Sequence, residues 1–287
     1  MSEDTKGRVT MSGPERGSQP AGPDTAVGPQ TAWNERAIRS VSAPLRPLPG
    51  SGMGSRLVIG QGSGLDALDP FPALMHDDVP PQVMFPMHQH RGVEVVTYAL
   101  EGALYHDDSL GNAGMVVAGG VERNRFGRGY AHSEAPAGGE PYRGLQLFIM
   151  LSPDDRELEP AFQLLAPGDV PEVEGDGARV RVVAGEYAGR RSPLELRNPT
   201  LYLDVRLAPG AVLALPVPAA YQGIVYVLSG RGQIGTPAVD AGAHQRLVLG
   251  EGNVLRARAA RGTEPLRFVL ITGRPIAAHR HARSSNR

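Results

Sequence analysis

The 287 residues contain no cysteine. Disulfide scaffolds, cysteine-ligated zinc, thiol catalysis and iron–sulfur clusters are therefore excluded, and any metal must rest on His, Asp or Glu. Lysine is nearly absent too: Lys6 is the only one among 29 basic residues, which reads as a coding bias toward arginine. Those 29 stand against 30 acidic residues, so no excess of one sign draws the chain to nucleic acid or to a membrane. No apolar run approaches the ~20 residues that span a bilayer. No apolar stretch near the start marks a secretory signal. The expectation is a cytoplasmic monomer with no membrane partner and no direct DNA binding. Gly60-Gln-Gly-Ser-Gly misses the full G-x-G-x-x-G spacing and no helical pattern follows it, so no nucleotide cofactor is expected, nor a haem. Aromatics make up 5%, and the single tryptophan, Trp33, lies near the N-terminus.

Glycine (37) and proline (26) are abundant, which disfavours long helices. Between the ends, apolar runs such as 92–100, 114–118, 144–151, 180–184, 200–208, 223–229, 246–249 and 266–272 alternate with Gly, Pro, Asn or Asp. That is the pattern of an all-β sandwich or barrel. One short helix is predicted over Asp154–Phe162, with Ser152 as its cap and Pro153 at its first position. Residues 1–34 carry no periodic pattern and read as a disordered tail. Residues 274–287 read the same way, and His279 and His281 are not taken as a metal site there. A repeat runs through the core: VVTYALEG ends at Gly102 and IVYVLSG at Gly230, an offset of 128 that grows to 131 after a loop insertion. Two β units follow, 35–165 and 166–273.

Eight histidines are present, and three fall in two short clusters, His88-Gln89-His90 and His132-Ser133-Glu134. Residues i and i+2 of a strand share a face, so each cluster projects two donors together. If the two strands face each other, three imidazoles and a carboxylate converge on one divalent transition metal, with positions left open for water, O₂ or a chelating substrate. Three nitrogens and one oxygen suit Fe, Mn, Co, Ni, Cu or Zn alike. Glu94 is read as a group that fixes a histidine tautomer or as an ion-pair partner of Arg91, and less as a ligand. Applied to the ligands, the offsets place Pro216, Pro218, Thr263 and Pro265 at the matching positions. The second unit is thus expected to bind no metal. His106, with Asp107, Asp108, Ser109, Gly111 and Asn112, reads as turn or pocket-rim chemistry. His76 and His244 read as isolated polar residues. Arg123, Arg125 and Arg128 form a basic cluster, solvated or contacting an anion at the pocket mouth.

Residues 85–136 closely resemble the pirin family of bicupins. The resemblance is carried by HQHRGVEVVTYALEG from His88, by HDDSLGNAG from His106 and by FGRGYAHSE ending at Glu134. Weaker similarity extends from about 35 to 273. It implies two antiparallel jelly-roll barrels side by side, with one metal, usually iron and here Fe(II), in the N-terminal barrel. The ligands it implies are His88, His90, His132 and Glu134. It also implies one of two roles. The first is a quercetin 2,3-dioxygenase-like enzyme that opens a polyphenol with O₂, with Glu134 as catalytic base. The second is an iron- or redox-responsive regulator that binds a transcription factor or a metabolic enzyme. The pattern departs from the family at Gln89 and at Phe148. It departs again at Arg123-Asn124-Arg125, where a Trp and a Met are usual, and a C-terminal closing segment is missing. These departures imply a pocket without its usual aromatic wall.

Overall fold

In the computed structural model, residues 32–50, 52–262 and 264–276 are described. The disorder expected for residues 1–31, and the calls on Thr263, His279 and His281, lie outside them. The strands follow in chain order. First come β1 (Ile38–Val41), β2 (Arg56–Ile59), β3 (Ala73–Val79), β4 (Phe85–His90), β5 (Val93–Glu101), β6 (Ala103–Asp108) and β7 (Ala113–Val117). Next are β8 (Val121–Arg125), β9 (Tyr130–Pro136), β10 (Tyr142–Met150), β11 (Ala161–Leu165), β12 (Glu172–Gly175) and β13 (Ala178–Ala184). A hairpin, β14 (Glu186–Tyr187) and β15 (Arg190–Arg191), leads to β16 (Thr200–Leu207), β17 (Val212–Pro216), β18 (Gln222–Ser229) and β19 (Arg231–Ile234). The last four are β20 (Val239–Gly242), β21 (Arg246–Leu249), β22 (Val254–Ala259) and β23 (Leu266–Gly273). Among the described residues the only helical element is a single 3₁₀ turn at Pro167–Asp169.

Each barrel is two sheets face to face. The first pairs an inner sheet, β11-β8-β5-β10-β3-β2, with an outer sheet, β4-β9-β6-β7. The second pairs β1-β21-β18-β23-β16-β13-β12 with β17-β22-β19-β20. The repeat read from sequence is thus a strand-for-strand duplication: β8-β5-β10-β3 maps onto β21-β18-β23-β16, and β4-β9-β6-β7 onto β17-β22-β19-β20. The turn after β5 and the turn after β18 both need glycine. Gly102 and Gly230 have φ of 69° and 71°, and a Cβ there would lie 2.3 Å from Pro141 O and 2.2 Å from Pro265 O.

The two inner sheets pack on each other. Val96, Tyr98, Leu145 and Leu147 from one meet Tyr202, Ile224, Tyr226 and Ile271 from the other in one apolar core. On β5 the even residues face this seam, while Val95 and Ala99 face the lumen of the first barrel. Few polar groups interrupt the seam. Tyr98 donates to Asp204 at 2.8 Å, Arg267 reaches the same carboxylate at 2.8 Å, and His76 Nδ1 lies 3.0 Å from the Tyr226 hydroxyl.

Three readings of the sequence are corrected here. The helix over Asp154–Phe162 does not form. The six residues between Pro153 and Pro160 cannot nucleate one; Ser152 instead closes a turn on Asp155 (2.8 Å), and Ala161 begins β11 against β8. The boundary at residue 35 also shifts, because β1 pairs with β21 of the second barrel. Arg36, 1% exposed, anchors it by donating to the carbonyls of Pro218, Tyr221 and Gly250. His76 and His244 are not isolated: their rings lie 5.8 Å apart at the seam.

Candidate metal centre

Three adjacent strands of the outer sheet build the site. On β4, β9 and β6 alternate residues turn inward, so the lumen receives His88 and His90, His132 and Glu134, and His106 and Asp108. Register sets their neighbours: His88 stands opposite His132, while Glu134 stands opposite His106. The inner sheet adds Glu122 and Asn124 from β8, Gln146 from β10 and Asp77 from β3.

The donor atoms of His88, His90 and His132 lie within 4.8 Å of one another. A second triad at the same spacing, His106, His132 and Glu134, shares His132 with the first. His88 Nδ1 donates to Pro86 O at 2.8 Å, which leaves its Nε2 free. Burial is the main cause that holds His90 down at about 4 and His132 at about 3, with neighbouring imidazoles second. Both rings are therefore neutral with a lone pair to give. Burial, reinforced by Glu122, pushes Glu134 up to about 8. Glu134 Oε2 accepts from Gln146 Nε2 at 2.9 Å, while Glu134 Oε1 and His132 Nε2 are buried with no partner. Two orphaned buried donor atoms beside two further imidazoles are what a bound cation satisfies, so these residues fit a divalent metal.

The wall beside the histidines is aromatic. Phe126 and Phe148 lie 4.8 and 5.4 Å from His90, and Phe126 stacks on Tyr130 at 4.4 Å. The aromatic wall expected to be absent is supplied by these three residues. Arg123 is not at the pocket: with Val121 and Arg125 it faces the seam, because Asn124 takes the lumen side of β8. Glu94 is there too, 3.7 Å from Arg123 and accepting from the Arg197 amide at 2.9 Å. It fixes no histidine tautomer and does not pair with Arg91, whose partner is Glu157. Arg125 and Arg128 hold Glu159. His106 is not a rim residue either, being fully buried in β6. The i, i+2 rule that found 88/90 and 132/134 also fits His106-Asp107-Asp108, which is the signal that was available.

In the second barrel the matching strands are β17 and β22. Their inward residues are Leu213, Leu215, Leu255, Ala257 and Ala259. Apolar residues thus occupy the places that the histidines and Glu134 hold in the first barrel; Pro216 is exposed and Pro265 lies beyond β22. The fold and the one-sided polar lumen define a duplicated cupin with a candidate metal centre in its first half.

The comparisons agree. The Pirin family model matches residues 58–149 and the Pirin C-terminal cupin domain model matches 202–284. The chain is 43% identical to the "Pirin-like protein" of Solanum lycopersicum over 74% of its length and 73% of that protein. It is 38% identical to human Pirin over 67% of each. Among solved structures, GK1651 of Geobacillus kaustophilus superposes with a TM-score of 0.78 at 31% identity, over 85% of this chain and 98% of that one. A quercetin 2,3-dioxygenase of Acinetobacter baumannii gives 0.74 at 24%, over 84% and 88%. The chain belongs to the pirin family.

Proposed function

We propose that the chain is a mononuclear-metal dioxygenase of the quercetin 2,3-dioxygenase type acting on a polyphenol. The observation that carries this reading is the cluster of His88, His90 and His132, the last of which also stands beside Glu134 with its unpartnered Oε1, next to an aromatic wall. His88, His90, His132 and Glu134 would hold one transition metal, most simply Fe(II). Such an ion supplies the one-electron chemistry that lets O₂ react with an organic anion. The remaining work belongs to the side chains. Phe126, Tyr130 and Phe148 present flat apolar surface to an aromatic ring. Glu134, ionised once a cation stands beside it, takes a hydroxyl proton from the polyphenol as general base. Gln146 holds the other carboxyl oxygen and orients it.

The test is oxygen uptake on quercetin by the iron-loaded protein. His88→Ala is expected at background, and Glu134→Gln is expected to keep much of the metal while slowing turnover by about 10²–10⁴-fold. Equal uptake in wild type and His88→Ala overturns the reading.

The regulatory alternative, in which the centre reports redox state to a protein partner, draws on a different feature. The outward face of β4, β6 and β7 exposes Met87, Tyr105, Met115 and Val117, directly behind the histidine strands. Pull-downs with Fe(II)- and Fe(III)-loaded protein that return the same partners count against it.

A further inference from the structure

We propose that the second barrel carries a binding site for a hydroxylated organic phosphate, in a cleft on the exposed face of β22, β19 and β20. The site lies in the barrel without metal-binding residues and is independent of the candidate centre. The cleft holds about 510 Å³, within the range of small-molecule sites. Arg231 of β19, Arg258 of β22 and Arg261 just beyond β22 line it, and all three are exposed. Among the described residues none of their guanidiniums has an ion-pair or hydrogen-bond partner. Arg256, two residues before Arg258 on the same face, does have one, Glu35 at 2.8 Å.

Register shows how the charges are laid out. Gln233 stands between Asp240 and Arg258, while Arg231 stands opposite Gly242. Arg231 and Arg258 are therefore diagonal neighbours, two like charges with no acid between them, an arrangement that is unfavourable until an anion joins them. The floor beneath is made of small residues, and a Cβ added at Gly242 would meet nothing nearer than 3.8 Å. The fold does not require this surface. The counterparts of β22, β19 and β20 are β9, β6 and β7, which hold no arginine; the 128-residue offset sets Ala103 and Tyr105 where Arg231 and Gln233 stand. A guanidinium fork pairs two N–H donors with two phosphate oxygens, and a phosphate has oxygens enough for more than one fork. Asp240 repels such a group but accepts from hydroxyls, and Gln233 beside it both donates and accepts. The cleft is thus polarised, with phosphate directed to the arginines and hydroxyls to Asp240. A bare polyanion would meet Asp240 as repulsion alone.

The experiment is calorimetric titration of the full chain at low salt with two probes, inorganic phosphate and ribose 5-phosphate. Both are expected to bind, the sugar phosphate more tightly. Arg231→Gln and Arg258→Gln are each expected to weaken both probes about 10–100-fold, the loss of a hydrogen-bonding cation. Asp240→Asn is expected to weaken ribose 5-phosphate and to spare inorganic phosphate. Gly242→Leu, which fills the floor without changing charge, is expected to weaken both; if it does not fold, the arginine variants decide. Arg190→Gln, an exposed arginine of β15 outside the cleft, is the control for net charge and is expected to bind as wild type does. The inference is overturned if neither probe binds, if both arginine variants bind as wild type does, or if Arg190→Gln weakens binding as much as they do. Tighter binding of a DNA oligonucleotide or of polyglutamate at the same arginines overturns the assigned class of ligand.

Discussion

His76 and Asp77 are neighbours on β3 and point to opposite sides, the first into the seam and the second into the lumen. Burial is the leading cause for both. It pushes Asp77 up from 3.8 to about 7 and His76 down from 6.5 to about 3. The consequences for stability have opposite signs. Unfolded Asp77 releases its proton near 4 while the folded group keeps it to about 7, so stability falls as pH rises through that window, by up to ~1.4 kcal/mol per pH unit. Unfolded His76 gains a proton below 6.5 while the folded ring stays neutral to about 3, so stability falls as pH drops through that window. Urea denaturation of metal-free Asp77→Asn is expected to show a gain at pH 7 that shrinks toward pH 4. His76→Gln is expected to flatten the acid limb between 6.5 and 3. Slopes unchanged from wild type in both variants contradict the assignments. Neither residue stood out in the sequence, since a lone titratable group in a strand carries no mark of the face it occupies. The candidate ligands did stand out, because two donors spaced by two residues advertise one face. Arg123 and Glu94 misled for the complementary reason: reading them as pocket residues assumed a side of the strand, and register places them on the other.

At the scale of elements, short apolar runs with glycine turns were enough to read an all-β duplication, and every run quoted matches a strand. What sequence did not yield was pairing between distant segments. The segment after Ser152 carried capping signals, yet β11 forms because an edge of the inner sheet is open beside β8. The same blindness put two of the matching positions of the second barrel, Pro216 and Pro265, off the inward faces of β17 and β22, since a fixed offset cannot follow loops of unequal length. The duplicated turn offers a test. Ala at Gly102 or Gly230 must hold a positive φ and move a carbonyl that stands 2.3 or 2.2 Å from the new Cβ. Each substitution is expected to cost at least ~1–3 kcal/mol, and the two costs are expected to add because the turns lie in different barrels. Thermal and urea denaturation of both single variants and the double one measure this. A neutral Gly102→Ala shows that the turn relaxes freely.

At the scale of the molecule, the seam makes the halves interdependent. The inner face of the first barrel carries Val96, Tyr98, Leu145 and Leu147, and among the described residues the second barrel covers it. A chain ending at Leu165 therefore exposes a large apolar sheet face and is expected to aggregate on size exclusion; a monodisperse folded monomer contradicts this. After β23 the chain adds a small clasp, the Ile276 amide donating to Asp69 Oδ1 at 2.8 Å. The placement of β1 has a consequence for biosynthesis. A hydrogen bond from the Arg246 amide to Ser42 Oγ spans 204 residues, and the whole first barrel lies between the two. As the polypeptide leaves the ribosome, the earliest strand has no neighbour to join until β21 emerges. The barrel with the candidate metal centre is translated inside that interval, so it lacks the cover of its sibling while the nascent chain grows. The first of the described strands is thus among the last to be seated, and a holdase that shields the bare inner sheet during this wait is expected to raise the yield of native protein.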